Sequence, residues 1–479
     1  MAFSWHSRGI LVAALAAVAG ALTPHRVPLW IVVGILLAGL ATRRSLGRSV
    51  LVIVAVGALC STLADRSWSG LEAINPTGLA GDGSVVSDPI RSGAGTTAVV
   101  RVDGRRYLAT AYGGAGARLR GAQAGDSIAV SGKIRPYGGP DERRAALHIG
   151  NRLSVHAIAV KPTSNPLWRA ANGLRNLIGG GAEPMGSTRQ ALFTGIVYGD
   201  DRGQSPVTEA DFRLAGLTHL LAVSGQNVAY VLTVCRPLIQ RRSLTGRWVT
   251  TLTILVLFAT VTRFEPSVLR ATVMAGLAVT ARTVGREASA GRLLALAVIV
   301  LLVVDPLLAT TVAFGLSVAA SAGILWISPG VAGRVRGPEW LRESLGVTVG
   351  AQLAVAPVLV TTFGPISLVS VPANVVAGPI AGLVMAWGMT AGIVAGFGRG
   401  WLAGPIHTVS TAGLISLEAT ARAAAALPLP PVGIGWLVVA IAVVGARPWW
   451  RTSAGTRLAA AVVLCALAAA VVPSTSPGS

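Results

Sequence analysis

Gly216-Leu217-Thr218-His219-Leu220-Leu221-Ala222-Val223-Ser224-Gly225-Gln226-Asn227-Val228 is the stretch on which the reading of this chain turns. Small and amide-bearing side chains, with one imidazole, run straight into an apolar segment read as membrane-length. Polar groups in hydrocarbon are costly unless they face a cavity or another helix, so such a cluster marks a candidate site. Gly225 permits close backbone approach, and Gln226 and Asn227 each donate and accept hydrogen bonds. His219 lies five residues before Ser224, so the two do not share a simple helical face. A seam of small residues that lets helices approach would carry the same composition, and both readings stay open here.

Working outward, the composition fixes the class. Of 479 residues, 52% are hydrophobic and only 12% charged, where a soluble domain has roughly a quarter charged. Apolar runs such as 249–262, 292–304, 345–362 and 458–472 recur along the chain. Counting flanking Thr, Gly and Arg toward the ~20 residues a crossing needs gives about 13 spans. The expected fold is a polytopic α-helical membrane protein with a small extracytoplasmic β-rich domain resembling an OB barrel.

The net charge of +21 suggests a polyanion partner, but topology explains most of it. With spans near 9–23, 27–41 and 49–64, Arg43, Arg44 and Arg48 share one loop, which should be cytoplasmic. Arg236/Arg241/Arg242/Arg247, Arg282/Arg286/Arg292, Arg334/Arg336/Arg342, Arg399 and Arg447/Arg451/Arg457 alternate onto the same side. Intervening loops such as Asp305-Pro306 and Pro428–Pro431 are nearly free of positive charge. The alternation places the amino terminus inside, and 65–165 and the tail after Val472 outside. The first span, with Arg8 before its apolar run, also has the look of a signal peptide. The expected location is the cytoplasmic membrane.

Five regions follow: an N-terminal transmembrane unit, 1–64; the extracytoplasmic domain, 65–165; interfacial amphipathic helices, 166–215; a membrane core, 216–400; and C-terminal transmembrane helices, 401–479. Short β-like runs at 83–90, 96–102, 106–112, 126–134 and 153–160, separated by Gly clusters, suit a small five-stranded barrel. Barrels of this type elsewhere bind oligonucleotides on one face, which makes its Arg101, Arg105, Arg106, Lys133 and Arg135 candidate nucleic-acid contacts. Tyr107, Tyr112, Tyr137 and Trp68 form no obvious stacking platform, so a barrel that only positions the core fits equally well. In 166–215, Leu167, Trp168, Leu174, Leu177 and Ile178 recur at helical spacing with Arg169 and Arg175 between them, the pattern of a helix lying on a membrane surface. Ser187–Phe193 reads as a capped helix start, ending near Tyr198-Gly199.

Other polar groups stand inside apolar stretches. Arg263-Phe264-Glu265-Pro266-Ser267-Val268-Leu269-Arg270 puts Arg270 about a turn into a span, where it must snorkel, pair with an acid such as Glu265, or line a path. Arg263 at the outer mouth would attract phosphate. Phe314–Ser321 is a small-residue face, and Gln352 stands alone in an apolar span. Pro372-Ala373-Asn374 with Pro379 interrupts 366–397, which suggests a broken or re-entrant helix. Lys133 and Lys161 are the only lysines, and neither sits in a Walker loop, which excludes an ATPase of that type. Cys60, Cys235 and Cys465 fall in or beside spans, so no structural disulfide is expected. No cofactor or metal is expected either, because His6, His25, His148, His156, His219 and His407 are scattered.

These motifs together resemble the ComEC family of DNA-uptake membrane proteins. The resemblance rests on Gly-Leu-x-His-Leu-Leu-x-x-Ser-Gly (216–225), Gly199-Asp200, Pro266-Ser267-x-x-Arg270-Ala271, Asp305-Pro306, Phe314-x-Leu316-Ser317, and Pro372-x-Asn374 followed by Pro379. It spans about residues 170–400. Many members continue Ser-Gly with Leu-His where this chain has Gln226-Asn227, so no role of that histidine carries over. Many also carry a metallo-β-lactamase-like domain; here the chain ends soon after its last span, and no nuclease or other enzymatic activity is expected.

The resemblance implies a channel passing single-stranded DNA into the cytoplasm during natural transformation. Its path would be lined by His219, Ser224, Gly225, Gln226, Asn227, Arg263, Arg270, Gln352 and Asn374. Expected partners are single-stranded DNA, an extracytoplasmic DNA receptor, a cytoplasmic ATPase or single-strand-binding protein, membrane lipid and a second copy of the chain. A transporter of another solute and a non-transporting membrane assembly protein are the alternatives.

Overall fold

The computed structural model describes residues 5–25, 27–28, 31–32, 35, 45–72, 77–137, 142–145, 147–398, 402–427 and 431–432. The expected spans at 27–41 and 458–472, the loops around Arg43, Arg399 and Arg447, and Cys465 lie wholly or largely outside them. Helices α1 (Trp5–Leu22) and α2 (Ser45–Ser69) precede a β domain. Its strands are β1 (Gly78–Val85), β2 (Ile90–Ser92), β3 (Gly95–Val102), β4 (Arg105–Ala111), β5 (Ser127–Pro136) and β6 (Ile149–Lys161), with α3 (Gly113–Arg120) between β4 and β5. The helical core follows: α4 (Pro166–Gly181), α5 (Ser187–Tyr198), α6 (Pro206–Leu214), α7 (Gly225–Val234), α8 (Leu244–Val261), α9 (Pro266–Thr283), α10 (Ala290–Val304), α11 (Val312–Trp326), α12 (Glu339–Phe363), α13 (Ser370–Phe397) and α14 (Thr408–Ala425).

Strand order β1-β5-β6-β4-β3, with β1 also paired to β3, closes the sheet into a barrel. Only β4 and β6 run parallel. Closure follows from period-two patterning: in β5, Ile128, Val130 and Ile134 turn inward while Ser127, Ala129, Lys133 and Arg135 are exposed. They meet Val100, Val102, Ala109, Leu119 and Leu153 in one core.

Among the described residues, four helical stretches are long and apolar enough to cross a membrane: Ser49–Ser69, Leu244–Val261, Glu339–Phe363 and Ser370–Phe397. Gly9–Leu22, Ala290–Val304 and Val312–Trp326 are apolar but shorter. Small residues set the packing, as expected where helices gain little hydrophobic drive from one another. Gly20 of α1 lies against the Gly57 backbone of α2, Gly323 of α11 against Gly350 of α12, and Gly181 of α4 against Gly392 and Gly396 of α13.

Two local readings are revised. The segment after Ser224 is a 10-residue helix, about 15 Å long and half a bilayer crossing. Residues 370–397 form one continuous helix. Pro372 sits in its first turn, where an N–H has no intrahelical partner anyway, and Pro379 is carried inside a helix buried against protein. Helix α4 packs one face against α8 and α13, with Ala171, Asn172, Arg175 and Ile178 buried.

Candidate functional site

The Gly216–Val228 stretch turns between helices. Gly216 adopts φ +69°, and a side chain there would collide with Ser370 at the start of α13. His219 lies in a 3-10 turn, Thr218–Leu220, and is exposed. The chain is extended at Ser224 (φ −109°, ψ 165°) before α7 begins. Asn227 is buried and donates from Nδ2 to the Ile196 carbonyl of α5 at 3.1 Å. Ser224 Oγ donates to Asn227 Oδ1 at 3.3 Å, and Gln226 Nε2 donates to the Tyr230 hydroxyl at 2.7 Å.

Gly225 explains itself through α9. A Cβ added there would stand 2.8 Å from Arg270 Nη2, 3.1 Å from Ala271 Cβ and 3.2 Å from the Ser267 carbonyl. The motifs around Ser224 and Arg270 therefore meet in space, and Ser267 Oγ ties them by donating to the Val223 carbonyl at 3.0 Å. Arg270 Nε donates to Ser317 Oγ of α11 at 2.8 Å, and Nη1 approaches Met274 Sδ at 3.3 Å. The Glu265 pairing offered by sequence is not formed: among the described residues Arg270 has no carboxylate partner. Gln352 and Asn374 belong to a second polar group, in which Gln352 Nε2 donates to Ser370 Oγ at 3.2 Å and Asn374 Nδ2 to the Ser370 carbonyl at 2.7 Å. Gly216 abuts this group, so one motif touches both.

Arg263 is placed differently from its expected role. Its Nε and Nη2 each donate at 2.9 Å to Asp88 of the barrel, so its charge is already answered. Arg263 and Phe264 both adopt positive φ, 57° and 59°, a rare conformation for side chains of that size. The turn aims the guanidinium at the barrel and stacks Phe264 edge-on to Trp168 at 6.0 Å.

Asp88 belongs to a buried network that sequence reading missed. Arg175 Nη2 donates to Asp88 at 2.9 Å and to Asp200 at 3.0 Å, while Nη1 donates to the carbonyls of Tyr198 and Val261 at 3.2 and 2.8 Å. Arg202 grips Asp200 with two 2.7 Å bonds and reaches the Pro89 carbonyl at 3.2 Å. The Gly199-Asp200 motif now has a reason: Gly199, at φ +80°, closes α5, and Asp200 then faces both arginines. One signal was available. Arg175 stands four residues after Ala171 and three before Ile178, on the face that α4 buries.

Away from Asp88, barrel and core are also joined by a bond from His148 Nε2 to Asp305 Oδ2 at 2.9 Å. Asp305 also accepts from Leu307 N at 3.1 Å, which accounts for the Asp-Pro motif as a helix start. The barrel thus rests on helix ends at Ser69, Val261 and Val304, the three points that charge alternation assigns to one side. Of the five basic barrel candidates, Arg101, Arg105 and Arg106 line one cleft. Lys133 and Arg135 do not; they are exposed on β5, where Arg135 pairs in register with Arg152, which lies over the Tyr137 ring at 4.3 Å.

The network predicts an acid transition. Burial would raise Asp88, but the bond from Arg263, the charges of Arg263 and Arg175, and the Ala124 N–H outweigh it and hold Asp88 down from 3.8 to about 2. A depressed carboxylate contributes stability above its unfolded pKa and loses it as pH falls through the folded one. Roughly 2 kcal/mol should therefore disappear between about pH 4 and pH 2. Melting of the detergent-solubilised protein across that window should show it, and Asp88→Asn should flatten the slope. An equal slope in the variant would assign the transition to another group.

The family model described as Competence protein matches residues 196–470. No curated protein and no solved structure matches the chain.

Proposed function

This chain belongs to the Competence protein family, and on that premise we propose that it conducts single-stranded DNA across the cytoplasmic membrane during natural transformation. The observation that carries the reading is Arg270. A guanidinium without a carboxylate partner, set among helices beside Gly225 and Ser317, suits transient contact with a passing phosphate. Ser224, Gln226, Asn227 and, near Ser370, Gln352 and Asn374 would supply neutral polar contacts that do not trap the polyanion. The barrel's strand order, its single parallel pair and the helix between β4 and β5 support an OB-type domain. We place that domain outside the cell, latched over the core through Asp88 and Asp305. Directionality would come from a cytoplasmic ATPase or strand-binding partner, and the strand from an extracytoplasmic receptor.

The test is uptake of labelled, DNase-protected DNA in a strain lacking the gene, complemented with wild type or Ser224→Leu at matched membrane levels. Deletion should leave DNA bound outside with none protected within. Ser224→Leu, which sets an isobutyl group at the extended residue opening α7, should reduce internalisation about tenfold or more, the scale of a lost polar contact in a dry site. Internalisation that persists in the deletion strain would end the proposal.

A further inference from the structure

Where the apolar stretch of α2 ends against the barrel, a cleft of about 500 Å³ is lined by Arg66, Arg101, Arg105, Arg106, His148 and Asn151, with Ser67 and small residues between them. Arg66 comes from the last turn of α2 and the other arginines from β3 and β4, so two separate parts of the fold converge on it. Arg101 and Arg106 stand directly opposite each other in the β3–β4 ladder. Like charges in that position destabilise a sheet, so the arrangement calls for an anion. Arg106 Nη1 donates to the Leu147 carbonyl at 3.2 Å, and burial followed by the Arg101 charge pushes its guanidinium below its ordinary pKa, with Asp305 opposing. Asp305 is bonded to His148 at the wall of the cleft. Among the described residues, none of the four arginines forms an ion pair.

Two features decide which anion fits. No Phe, Tyr or Trp lines the cleft among the described residues, and its one ring, His148, is held by Asp305, so a nucleic-acid base would find little to stack on, although stacking supplies much of the grip on single strands. The cleft also sits at the end of Ser49–Ser69, which is long and apolar enough to cross a membrane; a crossing there would set the cleft near the headgroups. We propose that this cleft holds the phosphate of an anionic phospholipid headgroup, which seats the barrel against the bilayer at the end of α2. The site is separate from the polar core around Arg270, and the outcome of the DNA-uptake experiment does not bear on it.

The test measures binding of short-chain phosphatidylglycerol, inorganic phosphate and labelled oligothymidylate to delipidated full-length protein in a neutral detergent. Wild type is compared with Arg101→Gln/Arg105→Gln and with Arg120→Gln, an exposed arginine outside the cleft. The double variant should lose phosphatidylglycerol affinity tenfold or more, and Arg120→Gln should keep it. Inorganic phosphate should bind far more weakly than the lipid. If the double variant fails to fold, Arg105→Gln alone, an exposed residue at the start of β4, carries the same readings. Unchanged lipid affinity in the cleft variants would overturn the proposal. So would inorganic phosphate binding as tightly as lipid, or oligothymidylate binding lost while lipid binding persists, which would make the cleft a strand site.

Discussion

Replacing Arg175 by methionine should lower the stability of this protein more than any other single change at the junction, by about 3–5 kcal/mol. Arg175 is only 4% exposed, and its guanidinium makes four hydrogen bonds, two to carboxylates and two to carbonyls. Those carbonyls belong to Tyr198 and Val261, the last residues of α5 and α8. A buried cation there closes two helix ends, where the partial negative charge of each helix collects. The guanidinium also lies over the Tyr198 ring at 4.5 Å. Methionine fills similar volume but leaves two carbonyls and part of two carboxylates without donors. Lysine keeps the charge but cannot present a planar fork to four acceptors, so Arg175→Lys should fall between.

The geometry distinguishes this from loss of packing. Asp88 keeps its two bonds from Arg263, and Asp200 keeps its two from Arg202. Arg175→Met combined with Asp88→Asn should therefore cost clearly less than the sum of the single changes, because both remove one shared bond. Trp168 is a built-in reporter, with Arg263 at 5.4 Å from its ring and Phe264 edge-on. The chain has twelve tryptophans, so the shift of Trp168 on loosening of the barrel is read as the difference in emission between each protein and its Trp168→Phe version. A methionine variant as stable as wild type would show that the network does not hold barrel to core.

How much of this was legible beforehand depends on the range of the interaction. Four of the strands were readable because alternation such as that of β5 is local; the expected run at 83–90 falls mostly beyond β1, the short β2 was not anticipated, and the closed order rests on long-range pairing such as Gly78 with Lys133. The membrane class was readable from composition. The Gly225–Arg270 approach was legible only as two separate motifs; nothing in either spacing says that they touch. Asp88 and Arg175 are 87 residues apart, and no periodicity joins a loop carboxylate to a helix arginine across that distance. The charge at Arg175 masked its position: the pattern sets it between the apolar residues of a helix on a membrane surface, whereas it lies on the buried face of α4. The length of α7 was misjudged for the converse reason: Val228, Val231 and Leu232 continue the apolar run, while the chain itself breaks at Cys235 before Pro237.

Arg270→Met should separate conduction from stability, and the signs should be opposite. Arg270 pays a desolvation cost among helices and recovers only a bond to Ser317 Oγ and a weak approach to Met274 Sδ. Arg270 is partly buried, so it bears part of the several kcal/mol that attach to a fully buried ion, and one neutral hydroxyl offsets only part of that. An apolar residue of similar length removes that cost, so the fold should be as stable as wild type or more stable by about 1–2 kcal/mol. A phosphate passing the site would lose a charge-assisted hydrogen bond, and 1.5–3 kcal/mol of that interaction corresponds to an uptake loss of about 10- to 100-fold. Gly225→Ala offers an independent route to the same defect, because its methyl would displace Arg270 Nη2 while every charge stays in place. Uptake and melting should be measured on the same membrane preparations. A variant that takes up DNA normally would remove Arg270 from the path. A variant that melts several kcal/mol below wild type would make Arg270 a structural tie between α9 and α11, and the strand would have to pass elsewhere.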